Sequence, residues 1–183
     1  MTTQIVITGA PGSGKTALIE RLRADAAFAG FLFFDELARE LLEQRPDFRT
    51  RWAEFHQEIY RQQVGREDDA VGKSFITDRG TVDAFAFHPE TLQDVGTTLE
   101  REYARYTAVI QLGTTARLGE QYYQTDAVRQ ESVYDALVIE RALMTAWGKH
   151  PNYRFIDACD RWDDKVDACR KALDRLIQSE TGS

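Results

Sequence analysis

The sequence predicts an α/β protein of three layers, in which helices cover both faces of a five-stranded parallel sheet. Strand-like apolar runs alternate with segments of helical spacing, and this alternation is typical of parallel strands joined by crossover helices. The composition, 43% hydrophobic and 29% charged residues, is that of a globular protein. A length of 183 residues suits one domain over residues 1–183. The predicted strands are QIVIT, GFLFFDE, KSFITD, TAVIQL and YRFID.

The net charge and the cysteine content indicate which classes of partner and which cellular compartment to expect. The net charge is -7, and no run of Lys or Arg alternates with aromatic residues, so we expect no nucleic-acid partner. Cys159 and Cys169 match no zinc or redox spacing, which favours a reducing compartment over a secreted disulfide framework. The sequence has no N-terminal targeting pattern and no window near the roughly 20 apolar residues of a membrane span. We therefore expect a cytoplasmic protein without a membrane partner.

Apolar spacing also predicts the helices and the segments between them. A helix over residues 17–23 follows the first strand, and a helix over 54–63 follows Pro46 at a place where α/β folds can insert a substrate-covering element. Residues 114–132 are polar and precede another helix, so we expect a mobile lid segment there. The last residues, 179–183, are expected to form a flexible tail.

The stretch GAPGSGKT matches the spacing G-x-x-x-x-G-K-[ST] of a phosphate-binding loop. A β-branched strand precedes it and an amphipathic helix follows, which is the order that the mechanism requires. Its glycines allow successive N–H groups to converge on phosphate oxygens at a helix N-terminus. The flanking elements disfavour the alternative, a tight glycine turn with a solvated lysine. The predicted nucleotide-binding residues of the loop are Gly9, Ala10, Pro11, Gly12, Ser13, Gly14, Lys15 and Thr16.

The loop predicts a P-loop NTPase that binds ATP with Mg²⁺ as cofactor. Lys15 is expected to reach the β and γ phosphates, and the Thr16 hydroxyl is expected to bind Mg²⁺. Asp78 ends the strand KSFITD, at the edge where ligands bind in open α/β sheets, and is the candidate metal-directed carboxylate. The alternative for Asp78 and Arg79 is an Asp-Arg pair in a turn at a strand end.

Charged residues after the second and third strands are candidates for binding a substrate. Asp35 and Glu36 follow the second strand, where a carboxylate can accept a proton from a substrate hydroxyl or orient it for in-line attack. The alternative is that acids are favoured in a first helical turn, and it is as good as the functional reading for Asp35. Arg79 can hold a substrate or a phosphate in bidentate fashion.

Two arginines of the lid segment are candidates for closing on the transferring phosphoryl group. Such an arginine is worth about 10³ to 10⁵ in rate in some phosphoryl-transfer enzymes. Arg129 lies between Asp126 and Glu131 and is the predicted catalytic arginine, whereas Arg117 is assigned to nucleotide binding. For Arg117, a solvated arginine at a helix start is an equally good interpretation.

Together these motifs resemble the P-loop kinase-like ATPase domains typified by the nicotinamide riboside kinase part of NadR. The resemblance rests on GAPGSGKT, on ELARE after the second strand, on DRGTVDAFAF after the third, and on an arginine-containing lid before a long helix. It covers nearly the whole chain. The loop is specific to the superfamily, whereas ELARE and DRGTVD are moderately specific to this branch and its deoxynucleoside and nucleotide kinase relatives.

The resemblance implies a small-molecule kinase. By this resemblance, Lys15 and Thr16 match the residues that bind phosphate and magnesium. Asp78 and Arg79 match the acid and the arginine of the DRG element. Glu36 and Arg39 match the element on the substrate side. Similar domains use a nucleoside-like or other small hydroxyl acceptor, or bind nucleotide in a regulatory role. The predicted catalytic residues are Lys15, Glu36, Asp78 and Arg129, and the predicted substrate-binding residues are Asp35, Glu36, Arg39, Arg79 and Asp83.

An acceptor ring can pack against aromatic side chains near these residues. Trp52, Phe85 and Phe87 are the candidates, although aromatic residues at such spacings more often belong to the core. No role is assigned to His56 or to the other histidines. Base preference is expected to depend on the loop over residues 157–162, and no motif there distinguishes adenine from guanine.

The main alternative is a nucleotide-dependent switch or NTPase that regulates a protein partner. The chain has no N-K-x-D or T-K-x-D motif, which disfavours a guanine-specific signalling GTPase. An oligomer-forming AAA+ machine is also disfavoured, because that class needs a longer module with a small helical domain.

Overall fold

All five predicted strands are present and form one parallel sheet in the computed structural model, which describes residues 2–123 and 131–181. The sheet has the order β2-β3-β1-β4-β5, and every neighbouring pair is parallel. This confirms the α/β class and the five-stranded sheet. The strands are β1 (Gln4–Gly9), β2 (Leu32–Phe34), β3 (Phe75–Asp78), β4 (Ala108–Leu112) and β5 (Tyr153–Ile156).

Eight helices are present among the described residues: seven lie in the connections between strands, together with several 3-10 turns, and the eighth follows β5. No helix of this part of the chain combines the length and the apolar character that crossing a bilayer requires. Of the expected tail at 179–183, residues 179–181 continue the last helix, and the final two lie outside the described residues. The helices are α1 (Lys15–Arg23), α2 (Leu37–Gln44), α3 (Trp52–Asp68), α4 (Thr81–Phe87), α5 (Thr91–Asp94), α6 (Leu99–Tyr103), α7 (Val133–Trp147) and α8 (Trp162–Thr181).

The alternation of side chains along β1 produces the three layers. Ile5 and Ile7 lie in the hydrophobic cluster under α1 and α8, whereas Val6 lies in the cluster on the opposite face. Successive side chains of a strand point to opposite faces, so a strand that is apolar at each position is buried on both sides. Trp147 of α7 and Val82 of α4 complete the second cluster, and both are fully buried.

Helices α2 and α3 form a smaller cluster beside the main core. Leu41, Phe48 and Phe55 are buried there, and Phe48 lies in a 3-10 turn that begins at Pro46. Helix α3 is longer than the sequence predicted, because its buried polar residues, such as Gln63, interrupt the apolar pattern. Gln63 of α3 donates a hydrogen bond to Thr77 of β3 at 3.0 Å, so this helix lies against the carboxyl end of that strand.

The register of the sheet places the two phosphate-site motifs side by side. Ile7 of β1 pairs with Asp78 at the end of β3, and Gly9 pairs with Leu112 of β4. The loop after β1 therefore emerges next to the acid that ends β3. This is the edge of an open α/β sheet where ligands bind.

Leu173 of α8 is fully buried in the first core cluster, so its truncation should leave a cavity. We expect Leu173→Ala to lower the free energy of unfolding by about 2–5 kcal/mol. Lys171→Ala, an exposed change two residues earlier on the same helix, should change it by less than about 0.5 kcal/mol. Urea denaturation of both variants checks this, and equal effects would contradict the packing of α8.

Candidate functional site

The loop between β1 and α1 adopts the geometry of an anion-binding turn. Gly12 and Gly14 have φ angles of 76° and 82°, in the left-handed region that glycine enters without a steric penalty. The Ser13 amide donates to the Ala10 carbonyl at 3.1 Å, which closes the turn. A Cβ at Gly9 would lie 2.8 Å from the Leu112 carbonyl oxygen, so only glycine fits against β4.

Lys15 begins α1 and is almost fully buried at the base of this loop. Its ammonium nitrogen lies 2.7 Å from Asp78 Oδ1 and 3.9 Å from Glu36 Oε2. A buried ammonium needs a compensating charge, and these carboxylates supply it. The structure thus brings together the three side chains that the sequence assigned to the phosphate and hydroxyl chemistry.

The two carboxylates differ in acidity because their surroundings differ. Burial raises the pKa of Glu36, but the positive charges of Arg79 and Lys15 outweigh that effect and lower it to about 2. Burial raises the pKa of Asp78 above its usual value, and the attraction of Lys15 and Arg79 opposes this rise only in part. Glu36 is therefore firmly ionised at neutral pH.

Arg79 connects the phosphate site to the acceptor side. Its backbone has a φ of 69°, an unusual conformation for a residue other than glycine. Its guanidinium pairs with Glu36 Oε1 at 2.8 Å and with Asp83 Oδ1 at 3.1 Å. These carboxylates raise its pKa despite burial, and the group lies 5.0 Å from the centre of the Phe87 ring. A left-handed residue at the end of a strand is consistent with a functional position.

Several buried side chains hold Arg79 in this conformation. The Arg79 carbonyl accepts hydrogen bonds from Thr77 Oγ1 at 2.8 Å and Gln63 Nε2 at 3.3 Å. Glu67 accepts from Gln63 and from the Tyr106 hydroxyl, which in turn accepts the Thr81 amide. Sequence patterns missed this network, because its members are far apart along the chain.

Asp83 is a structural acceptor in this arrangement. Its carboxylate accepts from Thr8 Oγ1 at 2.5 Å, from the Gly80 amide at 3.0 Å and from Trp147 Nε1 at 3.0 Å, besides Arg79. With these partners occupied, Asp83 orients Arg79 and caps α4. The sequence placed Asp83 among the substrate-binding residues, and the structure places it at the wall of the second pocket described below.

A pocket of about 500 Å³ opens over the phosphate loop. Thr16, Arg39 and Arg79 lie on its wall together with Glu36 and Glu131. Arg39 is exposed and has no ion-pair partner among the described side chains, so its guanidinium is available to an anion. The full lining is Ala10, Pro11, Gly12, Ser13, Gly14, Lys15, Thr16, Ala17, Glu36, Arg39, Arg79 and Glu131.

The residues at this pocket fit a magnesium ion that arrives with a nucleotide. Within the described ranges, no three His, Cys, Asp or Glu side chains are placed to hold a metal by themselves. Mg²⁺ usually binds through one or two protein oxygens together with phosphates and water, so no such cage is needed. Thr16 lines the pocket, and the buried Asp78 Oδ1 pairs with the Lys15 ammonium and has no other polar partner among the described groups.

A second, smaller pocket of about 200 Å³ adjoins the first. Pro11, Glu36, Arg79 and Glu131 line both pockets, so the two share a wall. Its other end is apolar and aromatic and is formed mainly by α2, α3 and α4. The remaining lining residues are Leu37, Ala38, Leu42, Trp52, Phe55, His56, Ile59, Gln63, Asp78, Gly80, Asp83, Ala84, Phe87 and Ile139.

The aromatic candidates separate into pocket and core. Trp52 and Phe87 line the second pocket, whereas Phe85 is buried in the core, where its ring lies 5.5 Å from that of Tyr60. His56, to which the sequence assigned no role, also lines this pocket. Burial lowers its pKa to about 4, and neighbouring His88 contributes in the same direction. No sequence pattern signalled it.

Asp35 and Arg117 do not line either pocket, and Arg129 cannot be placed. The Asp35 carboxylate is exposed and pairs with Arg23 at 2.7 Å, because consecutive residues at the end of β2 point in different directions. Arg117 pairs with Glu140 at 2.9 Å and with Asp157 at 3.1 Å. Arg129 lies outside the described residues, as does most of the second half of the expected lid segment.

The first turn of α8 contacts the phosphate loop through Trp162, which ends the predicted base-preference range, and through Lys165, which no sequence pattern indicated. A Cβ at Gly14 would lie 2.3 Å from the Trp162 ring, so the indole packs directly on that glycine. The buried Lys165 ammonium donates to the Ser13 carbonyl at 2.8 Å and to the Gly113 carbonyl at 2.5 Å. Lys165 thus joins the phosphate loop, the end of β4 and α8.

A phosphate-binding loop after the central strand, with an acid at the end of the adjacent strand, defines a protein of the P-loop NTPase fold. Within that class, the chain belongs to the AAA-domain family, whose model matches residues 4–165. No curated protein matches the chain in sequence. The expectation that it does not form an oligomeric AAA+ machine stays a prediction.

A solved structure with the same fold is similar over almost the whole chain. It is a shikimate kinase from Acinetobacter baumannii in complex with shikimate, with 16% sequence identity and a TM-score of 0.64. The match covers 98% of this chain and 95% of the other. At that identity the similarity supports the P-loop NTPase fold.

His56 should make the stability of the protein depend on pH. Below its ordinary pKa of 6.5 the unfolded chain binds a proton, whereas the folded state resists protonation down to about pH 4. Stability therefore falls as the pH falls through this window, and His56→Phe should reduce the loss between pH 7 and 4.5 by about 2 kcal/mol. Urea denaturation at both pH values measures this. His150, whose pKa is also lowered, leaves a residual slope, and identical slopes in both proteins would contradict the effect.

Proposed function

We propose that this protein is a small-molecule kinase that transfers the γ-phosphoryl group of ATP to a hydroxyl of a nucleoside-like acceptor. One observation supports this above all: a small pocket with an aromatic end shares the wall of Glu36 and Arg79 with the phosphate pocket. A transferase needs a place for a second substrate beside the phosphates, whereas a nucleotide-dependent switch does not.

The charges of the second pocket favour a neutral or cationic acceptor. Its described lining contains four carboxylates, Glu36, Asp78, Asp83 and Glu131, and one guanidinium, Arg79, which is already paired. A carboxylate or phosphate on the acceptor would meet net negative charge there, and like charges repel. The volume of about 200 Å³ is below the roughly 300–1,000 Å³ of typical ligand pockets, so the acceptor is small. A nucleoside fits these terms better than a nucleoside monophosphate.

In the proposed mechanism, the loop amides and Lys15 bind the phosphates of ATP. When Lys15 turns toward a phosphate, it leaves Asp78, whose carboxylate then becomes available to the metal together with the Thr16 hydroxyl. Mg²⁺, when bound, neutralises charge on the β and γ oxygens. Positioning and electrostatics account for most of the catalysis in this reaction class.

Glu36 orients the acceptor hydroxyl in this proposal. A general base works best with a pKa near the operating pH, and the pKa of about 2 makes Glu36 a weak base. As an ionised carboxylate it accepts a hydrogen bond from the hydroxyl and directs the oxygen at the γ-phosphorus. Arg39 lies on the same wall and stabilises the transferring group, whereas Arg79 holds the Glu36 carboxylate in place. Arg129 retains its proposed catalytic role.

The type of acceptor follows from the resemblance to the kinase part of NadR, which makes nicotinamide riboside one proposed substrate. Its cationic ring agrees with the negative lining of the second pocket. Cys159 and Cys169 are both free, which is consistent with the proposed cytoplasmic location.

Lys15→Ala should abolish acceptor-dependent phosphoryl transfer, because it removes the buried cation that contacts the phosphates. We expect ADP release with ATP·Mg²⁺ to rise above the no-acceptor background for at least one nucleoside, nicotinamide riboside or another small hydroxyl compound. Lys73→Ala, an exposed lysine outside both pockets, is the control. If no acceptor raises ADP release by the wild type, although ATP binds tightly, the kinase proposal is wrong. The alternative, a nucleotide-dependent switch that acts on a protein partner, is then favoured.

The neighbouring acids Glu36 and Asp35 provide a matched comparison. Glu36→Gln should lower kcat about 100-fold, because the acceptor hydroxyl loses its orienting carboxylate. Asp35→Asn should change kcat by less than about twofold, since its side chain pairs with Arg23 at the surface. Steady-state kinetics of both variants measure the difference. Equal losses of kcat in the two variants would indicate that Asp35 also acts at the substrate site. If both variants keep the kcat of the wild type, neither acid takes part in the reaction.

A further inference from the structure

His56 is a buried polar side chain whose hydrogen-bonding capacity is unused. It is 3% exposed on α3, and neither Nδ1 nor Nε2 has a hydrogen-bond partner among the described groups. A buried polar group without a partner destabilises the folded state, so such groups are rare and call for an explanation. The ring lines the second pocket, where a ligand can supply the partner.

The two other histidines have partners. His88 Nδ1 is 3.0 Å from Thr91 Oγ1, and His150 Nε2 is 3.0 Å from the Tyr106 carbonyl. His150 Nδ1 also accepts the Asn152 amide at 3.1 Å. The fold therefore satisfies these histidines and leaves His56 unsatisfied.

The surroundings of His56 suit a flat ring with a polar edge. The Trp52 ring centre lies 4.6 Å from that of His56 at 88°, and the Phe87 ring lies at 6.1 Å. Both aromatic residues line the same pocket, which shares Glu36, Arg79 and Glu131 with the phosphate pocket. Aromatic side chains pack flat ligands, whereas they give no specificity for polar atoms at the ring edge. His56 differs from Gln63, the other neutral polar side chain of α3 in this lining, because Gln63 has hydrogen-bond partners and both His56 nitrogens have none.

We propose that His56 determines acceptor specificity by exchanging a hydrogen bond with a polar atom at the edge of the acceptor's ring. This inference rests on the proposed kinase function and specifies its acceptor as a nucleoside whose base carries such an atom. One nitrogen of a neutral imidazole donates and the other accepts, so His56 can pair with an amide, a carbonyl or a ring nitrogen. The sugar hydroxyl then lies toward Glu36 and the base toward α3.

Binding measured without turnover tests this role. Wild type and His56→Phe are titrated calorimetrically with nicotinamide riboside, adenosine and base-free ribose, in the presence of Mg²⁺ and a non-hydrolysable ATP analogue. Phenylalanine keeps the flat shape and removes both ring nitrogens. We expect the affinity for at least one of the two nucleosides to fall about tenfold in the variant, and the affinity for ribose to stay unchanged.

Thermal stability distinguishes recognition from a structural role. Without ligand, His56→Phe should raise Tm by about 2–4 °C, because it removes an unsatisfied buried group. His150→Phe is the matched control: it removes a buried histidine that has partners, so it should lower Tm and leave nucleoside affinity unchanged. A fall in Tm for His56→Phe, with nucleoside affinity unchanged, would make His56 a structural residue and overturn the inference.

The outcomes separate this inference from the kinase proposal. Equal nucleoside affinity in wild type and His56→Phe overturns the role of His56, even where acceptor-dependent ADP release is observed. Nucleoside binding that requires His56, without any acceptor-dependent ADP release, supports the recognition role and contradicts the kinase. Failure of the wild type to bind either nucleoside overturns the inference, and ADP release with other hydroxyl compounds then decides the kinase proposal.

Discussion

The ion pair between Lys15 and Asp78 is the interaction on which the site depends. It exists because β1 and β3 are adjacent and parallel, with Ile7 opposite Asp78, so the loop lysine and the strand-end acid meet at one edge of the sheet. Both groups are buried, and neither charge is tolerable there without the other. A shift of the register by one residue would turn Asp78 to the other face and leave Lys15 with only the more distant carboxylate of Glu36.

From this pair, alternating charges continue across the floor of the two pockets. Glu36 joins Lys15 to Arg79, and Arg79 reaches Asp83, which is fixed by its own hydrogen bonds. Lys15 is close to both Asp78 and Glu36, so a phosphate that attracts its ammonium group changes the electrostatic environment of both carboxylates. Hydrogen bonds from the buried Gln63 and Thr77 to the Arg79 carbonyl hold its backbone at a positive φ. The fold therefore maintains local backbone strain at a residue that lines both pockets.

The second pocket shows how stability and recognition compete at one place. Helices α2 and α3 form their own small cluster, and the pocket lies between that cluster and the sheet. A better-packed protein would fill this space and replace His56 with an apolar residue. Natural sequences tend to retain such unfavourable groups where activity requires them.

The five strands, the phosphate loop and the position of Asp78 could be predicted from the sequence, because strand periodicity and glycine spacing are patterns of a few neighbouring residues. Which candidates face the pockets depends instead on how distant elements pack. Asp35 and Glu36 are neighbours in the chain, yet one pairs with Arg23 at the surface and the other with Arg79 at the site. Arg117 pairs with Glu140, and His56 reaches the pocket from α3; both placements depend on how distant helices pack. Contacts between elements that are distant in the chain produce no local sequence pattern, and residue spacing therefore does not predict them.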